Sequence, residues 1–71
     1  MEDKELLVKI GIRIREVRTM RNLTQYELAD RCEINRNYIG MLERGERNPT
    51  YLTLLKIAKG CEVNICALFK D

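Results

Sequence analysis

The sequence predicts an all-α fold of five short helices, and three observations predict it. Apolar residues recur at spacings of three and four, the period of an amphipathic helix. Thr24, Asn35, Thr50 and Asn64 each stand as capping residues just before an apolar stretch. No stretch alternates apolar with polar residues as a half-buried strand would.

The first helix covers roughly residues 4 to 21, where Leu7, Ile10, Ile14 and Val17 form one stripe. Asn22-Leu23 ends it. Thr24-Gln25-Tyr26-Glu27 is a capping box, in which Thr24 accepts from the Glu27 N–H and Glu27 reaches back to that of Thr24. A second helix therefore starts at Gln25, with Leu28, Ala29 and Cys32 inward. Glu33-Ile34-Asn35 interrupts the period after about two turns. Asn35 caps a third helix that runs to about Arg44, with Ile39 and Leu42 inward and Gly45 just beyond its end. After the polar loop Glu46-Arg47-Asn48-Pro49, Thr50 caps a fourth helix carrying Tyr51, Leu54, Leu55, Ile57 and Ala58, with Gly60 near its end. Asn64 caps a last short helix with Ile65, Leu68 and Phe69.

Seventy-one residues make a single domain, read as 1–71, with little core to spare. The sequence has no His, and Cys32, Cys61 and Cys66 lack the paired spacing of a zinc site. No metal and no cofactor are expected. An odd cysteine count without a signal peptide points to free thiols in the cytoplasm, and Cys61 reads as a small core residue. No apolar run approaches the ~20 residues of a membrane span. An enzyme is excluded by the missing His, the missing Gly-rich phosphate loop and the lack of a carboxylate cluster beside a nucleophile. No small-molecule substrate is expected either. Net charge is only +2, but Lys9, Arg13, Arg15, Arg18 and Arg21 crowd the first helix against Glu16. Such a cluster is first a solvated face and second an electrostatic footprint for phosphates.

The stretch from Gln25 to Arg44 carries the functional argument. Two short helices about three residues apart must cross steeply, and the small Ala29 suits a close crossing. Ile34 plugs the turn, while Ile39 and Leu42 anchor the second helix from behind. Its outer face is left with Arg36, Asn37, Gly40, Met41 and Arg44. Arg pairs bidentately with guanine and Asn with adenine in the major groove. Gly40 is expected to let the backbone lie close to DNA.

These residues resemble the Cro/C1-type helix-turn-helix family, also called XRE, with its lambda-repressor-like compact five-helix fold. The signals are LTQxELA, the Tyr38-Ile39 pair, LERGxRNP and LLKIAK, and the resemblance runs from roughly Ile10 to Phe69. It implies a DNA-binding transcription regulator on double-stranded DNA. By this resemblance Gln25 holds a phosphate and braces the first reading residue, Arg36 and Asn37 read base edges, and Met41 sits at another reading position. Arg47 and Asn48 lie in a loop that touches backbone, and Arg44 is a further phosphate contact. Thr24 is a cap first and a phosphate donor second, Asn35 joins the DNA face, and Tyr38 packs beside the reading helix or touches DNA. Arg18 and Glu43 match an internal salt bridge. Arg36-Asn37-Tyr38-Ile39, with Glu43-Arg44 and Arg47-Asn48, looks like the controller proteins of restriction–modification systems, dimers that activate and repress their own operon.

The sequence also departs from that pattern. Glu33 stands where Gly is usual, Gly60-Cys61-Glu62 replaces Ala-Leu-Gly, and Ile12 and Leu52 replace charged residues. Exposed apolar residues on so small a domain suggest a partner surface. Leu52, Ile65, Cys66 and Leu68 lie around the last two helices and read first as core, but Leu52 and Cys66 fall off the inward face, so part of this surface is expected at a homodimer interface, and a two-fold dimer reads a palindromic operator. An antitoxin-like protein or a protein-binding adaptor is the alternative. Antitoxins often carry a toxin-binding extension, whereas this sequence stops at Asp71, directly after the fifth helix.

Overall fold

A computed structural model describes residues 3–69; residues 1, 2, 70 and 71 of the single-domain reading lie outside them. Four α-helices follow one another: α1 (Asp3–Met20), α2 (Gln25–Cys32), α3 (Arg36–Glu43) and α4 (Tyr51–Gly60). The fifth predicted helix is instead a 3-10 segment, Ile65–Phe69. Its local bonding explains the correction. Asn64 accepts the Cys66 N–H on its side chain and the Ala67 N–H on its carbonyl, which closes a three-residue turn. No strand occurs among the described residues, and none of their helices is long and apolar enough to cross a membrane.

One apolar core holds the elements together. Ile14 and Val17 of α1 meet Leu28, Ala29 and Cys32 of α2, Ile39 and Leu42 of α3, and Leu54, Ile57 and Ala58 of α4. Cys61 is fully buried among them, and Ile34 packs against them from the turn. Burial pushes the Cys32 thiol up to about 11, with Cys61 adding to the effect, and burial raises Cys61 as well. Both therefore stay protonated near neutral pH and behave as small core side chains.

A period of three decides the faces of the last segment. Ile65 and Leu68 share its inner side: Ile65 packs on the core and Leu68 is only 1% exposed. Leu68 is thus core and not interface, which corrects the sequence reading. Cys66 and Phe69 share the outer side and are exposed. The segment is tied to α1 by Arg13, whose Nε donates to the Ala67 carbonyl.

Helix ends depend on left-handed residues. Asn22 (φ 59°) follows α1, Glu33 (φ 57°) follows α2 and Glu62 (φ 58°) follows α4, while Gly45 (φ 74°) follows α3. A non-glycine residue there costs roughly 1 kcal/mol. Glu62 has compensation in its ion pairs with Arg21 (3.3 Å) and Arg31 (3.9 Å). Glu33 has no such pair among the described residues. Glu33→Gly is therefore expected to raise stability by about 0.5–1 kcal/mol, read as a higher urea midpoint at unchanged slope. A lower midpoint would show that the side chain does something the backbone angle does not explain.

Candidate nucleic-acid interface

The site is built on α2, the turn and α3. The predicted capping box opens α2: Thr24 Oγ1 accepts from Glu27 N at 3.0 Å, and Glu27 Oε1 accepts from Thr24 N at 2.9 Å. That backbone bond holds the Glu27 carboxyl below its usual range. At the far end, Glu33 turns left-handed so that Ile34 N–H reaches back to the Ala29 carbonyl at 2.9 Å. Asn35 then accepts from Asn37 N at 2.7 Å and starts α3.

The bury-and-show pattern of α3 follows from its period. Ile39, Leu42 and Glu43 point inward, whereas Arg36, Asn37 and Arg44 stay exposed and Met41 is half-buried. Gln25, Arg36, Asn37, Gly40, Met41 and Arg44 line one shallow cleft of about 220 Å³. Of the residues predicted for DNA, the structure thus gathers Gln25, Arg36, Asn37, Met41 and Arg44 in one place. Thr24 and Asn35 are exposed and serve as caps. Tyr38 is half-buried against the core. Arg47 and Asn48 are exposed in the following loop, and Asn48 lies beside Asp3, Leu6, Leu7 and Ile10 of α1.

Gly40 forms the buried floor of this cleft, flanked by two side chains: an added Cβ would lie 3.0 Å from Arg44 Nη1 and 3.7 Å from Gln25 Oε1.

A buried network supports the cleft from beneath. Arg18 donates from Nε to Glu43 Oε2 at 2.6 Å and from Nη2 to Oε1 at 3.0 Å, a bidentate fork. Its Nη1 bonds the Leu23 carbonyl at 2.8 Å. The pair implied by resemblance is thus present. The sequence did not reveal a third member: Gln25 Nε2 also donates to Glu43 Oε1, at 3.0 Å. Nor did it reveal the Arg44–Glu46 pair, with Nε at 2.8 Å and Nη2 at 3.3 Å from the carboxylate. That pair raises the Arg44 pKa and lowers that of Glu46. The two-residue spacing of Arg44 and Glu46 was the one available signal for it.

A second surface lies on the outside of α4. Tyr51 is 66% exposed, Leu52 61% and Leu55 38%, one turn of apolar side chains facing away from Leu54, Ile57 and Ala58. Tyr51 and Leu55 were missed as surface residues because they continue the same apolar run as the core positions. Among the described residues, no group of His, Cys, Asp and Glu is placed to hold a metal ion.

A family profile described as helix-turn-helix matches residues 14–68. The chain is 38% identical over 65 residues to control protein C.SmaI of Serratia marcescens, spanning 92% of this chain and 74% of that one. It is 34% identical over 59 residues to the immunity repressor protein of Bacillus phage phi105, covering 83% of this chain and 41% of the repressor. The crystal structure of the restriction–modification controller protein C.AhdI from Aeromonas hydrophila superposes with a TM-score of 0.87 at 41% identity. The match covers 89% of this chain and 96% of that one. With the two-helix frame and the profile in agreement over most of its length, the chain belongs to the helix-turn-helix family, among relatives that include restriction–modification controller proteins and transcriptional regulators.

Proposed function

We propose that the protein regulates transcription by binding a two-fold symmetric operator in double-stranded DNA as a homodimer. The observation that carries this reading is the division of α3: its inner face is locked into the core while Arg36, Asn37, Met41 and Arg44 are gathered on one outward cleft. In the proposed mechanism α3 lies in the major groove. Arg36 and Asn37 read base edges, and Arg47 and Asn48 hold the phosphate backbone from the next loop, with Thr24, Asn35 and Tyr38 at the rim. The protein acts by binding alone, without catalysis or cofactor, in the cytoplasm. Its relatedness to controller proteins supports control of a restriction–modification operon as the setting.

Size supports dimerisation. The domain measures 32 × 22 × 20 Å, so one copy presents one α3 to one groove. Two copies with their reading helices one helical turn apart, roughly 34–36 Å, cover a palindrome. The exposed apolar side chains of Tyr51, Leu52 and Leu55, together with the exposed Cys66 and the half-buried Ile65, are the proposed contact. Leu52→Glu should leave the fold intact and shift sedimentation from dimer to monomer. A folded variant that still sediments as a dimer removes α4 from the interface.

The testing experiment is selection of bound duplexes from a random library. Enrichment of a two-fold palindrome is expected. Arg36→Ala should then cost ~1–3 kcal/mol and relax one base position, while Arg47→Ala should weaken all sequences alike and reduce the salt dependence. Equal losses on operator and scrambled DNA for Arg36→Ala would refute its reading role.

A further inference from the structure

Two polar side chains converge above Gly40, each held by a different carboxylate. Gln25 gives its amide N–H to Glu43 Oε1. A carboxylate can only accept, so it fixes which way round the amide lies: nitrogen inward, oxygen away. The outward atom is Oε1, 3.7 Å from the point where a Gly40 Cβ would stand. Arg44 commits Nε and Nη2 to Glu46, and its Nη1, outside that fork, lies 3.0 Å from the same point. One acceptor and one donor therefore flank a residue that has no side chain to separate them. Both border the cleft that also holds Arg36 and Asn37.

We propose that Gln25 Oε1 and Arg44 Nη1 together read an adenine in the major groove, an assignment that rests on the DNA-binding function above. Adenine offers there an N7 acceptor beside an N6 amine donor, the complement of this pair. Guanine presents two acceptors, one of which would face the Gln25 oxygen. Cytosine offers an amine alone, and thymine an acceptor and a methyl group. A phosphate would need donors only, and the Gln25 oxygen repels it. The pair thus replaces the phosphate roles that family resemblance implies for both residues. Glu43 and Glu46 are positioning residues: neither touches DNA, and each orients one reader.

The test is operator selection from a random duplex library with the wild-type protein, Gln25→Ala, Arg44→Ala and Glu46→Gln, each first checked for helicity by circular dichroism. The wild type should enrich a half-site with a fixed adenine. Gln25→Ala and Arg44→Ala should each reduce that preference by about tenfold, at the same position, and keep the preferences owed to Arg36 and Asn37. Glu46→Gln, which leaves both readers in place, should lower the same preference by less. Should Gln25→Ala fail to fold, the exposed Arg44 decides: Arg44→Ala must still erase an adenine preference. Uniform weakening on every sequence, or losses at two different positions, would overturn the assignment while leaving operator binding intact. A wild-type selection that enriches no sequence would overturn the DNA-binding function, and this assignment with it.

Discussion

Glu43→Ala is expected to cost about 3–5 kcal/mol, the range for removing one partner of a buried ion pair. Glu43 is 8% exposed and Arg18 9%, so neither charge can recover its hydration without opening the fold. The loss falls on three bonds at once: the two-pronged fork from Arg18 and the amide bond from Gln25. What remains is a buried guanidinium with only the Leu23 carbonyl as partner. A chain of this length has a total stability of roughly 4–10 kcal/mol, so the variant should be partly unfolded at physiological temperature. Urea denaturation followed by circular dichroism measures it. The double variant Arg18→Met, Glu43→Leu should recover most of the loss, because it removes the charges together and fills the space with apolar atoms. If Glu43→Ala costs less than 1 kcal/mol, the network is surface decoration and its buried placement is wrong.

Gly11→Ala is the second large effect, and it runs against helix propensity. In an open helix the change would gain roughly 1 kcal/mol. Here the new Cβ would press on the Leu42 carbonyl and stand 2.7 Å from the Glu43 carbonyl oxygen and 2.9 Å from its carbon. These are backbone atoms of α3 and cannot rotate away, so the helices must part. Overpacking costs typically 1–3 kcal/mol and more where backbone must move, so a net loss of about 2–3 kcal/mol is expected after the propensity gain. That corresponds to a fall in melting temperature of roughly 10–20 °C for a domain of this size. Parting α1 from α3 also strains the Arg18–Glu43 fork, since one bond partner sits on each helix. A melting temperature equal to wild type would mean that α1 and α3 do not approach this closely.

Both residues expose what sequence reading can and cannot reach. Signals confined to one turn were legible. Thr24 with Glu27, Asn35 ahead of α3 and Thr50 ahead of α4 bond as their spacing predicts. The α2 and α3 core positions Leu28, Ala29, Cys32, Ile39 and Leu42 are buried as their period requires. Gly11 was passed over because nothing nearby in sequence marks it; its meaning comes from Leu42 and Glu43, some thirty positions on. The bonds from Gln25 to Glu43 and from Arg44 to Glu46 were not legible, because sequence spacing does not show how these side chains meet once the chain is folded. Leu68 was grouped with Leu52 and Cys66 for a contact surface, although its spacing of three from Ile65 puts it on the inner side in either type of helix. The outward turn of Tyr51 and Leu55 was hidden within an apolar run, where composition cannot tell a core from a contact surface.

The two faces of α3 carry separate obligations. Ile39, Leu42 and Glu43 answer to the core, while the side chains of Arg36 and Asn37 are exposed and lie outside it. Exposed positions of this kind change stability by about half a kcal/mol or less. On the proposed function, descendants of this chain can acquire new operators by single substitutions without first acquiring a more stable scaffold. Divergence of target sites within a lineage is then limited by the DNA that must change with them, and hardly at all by the protein.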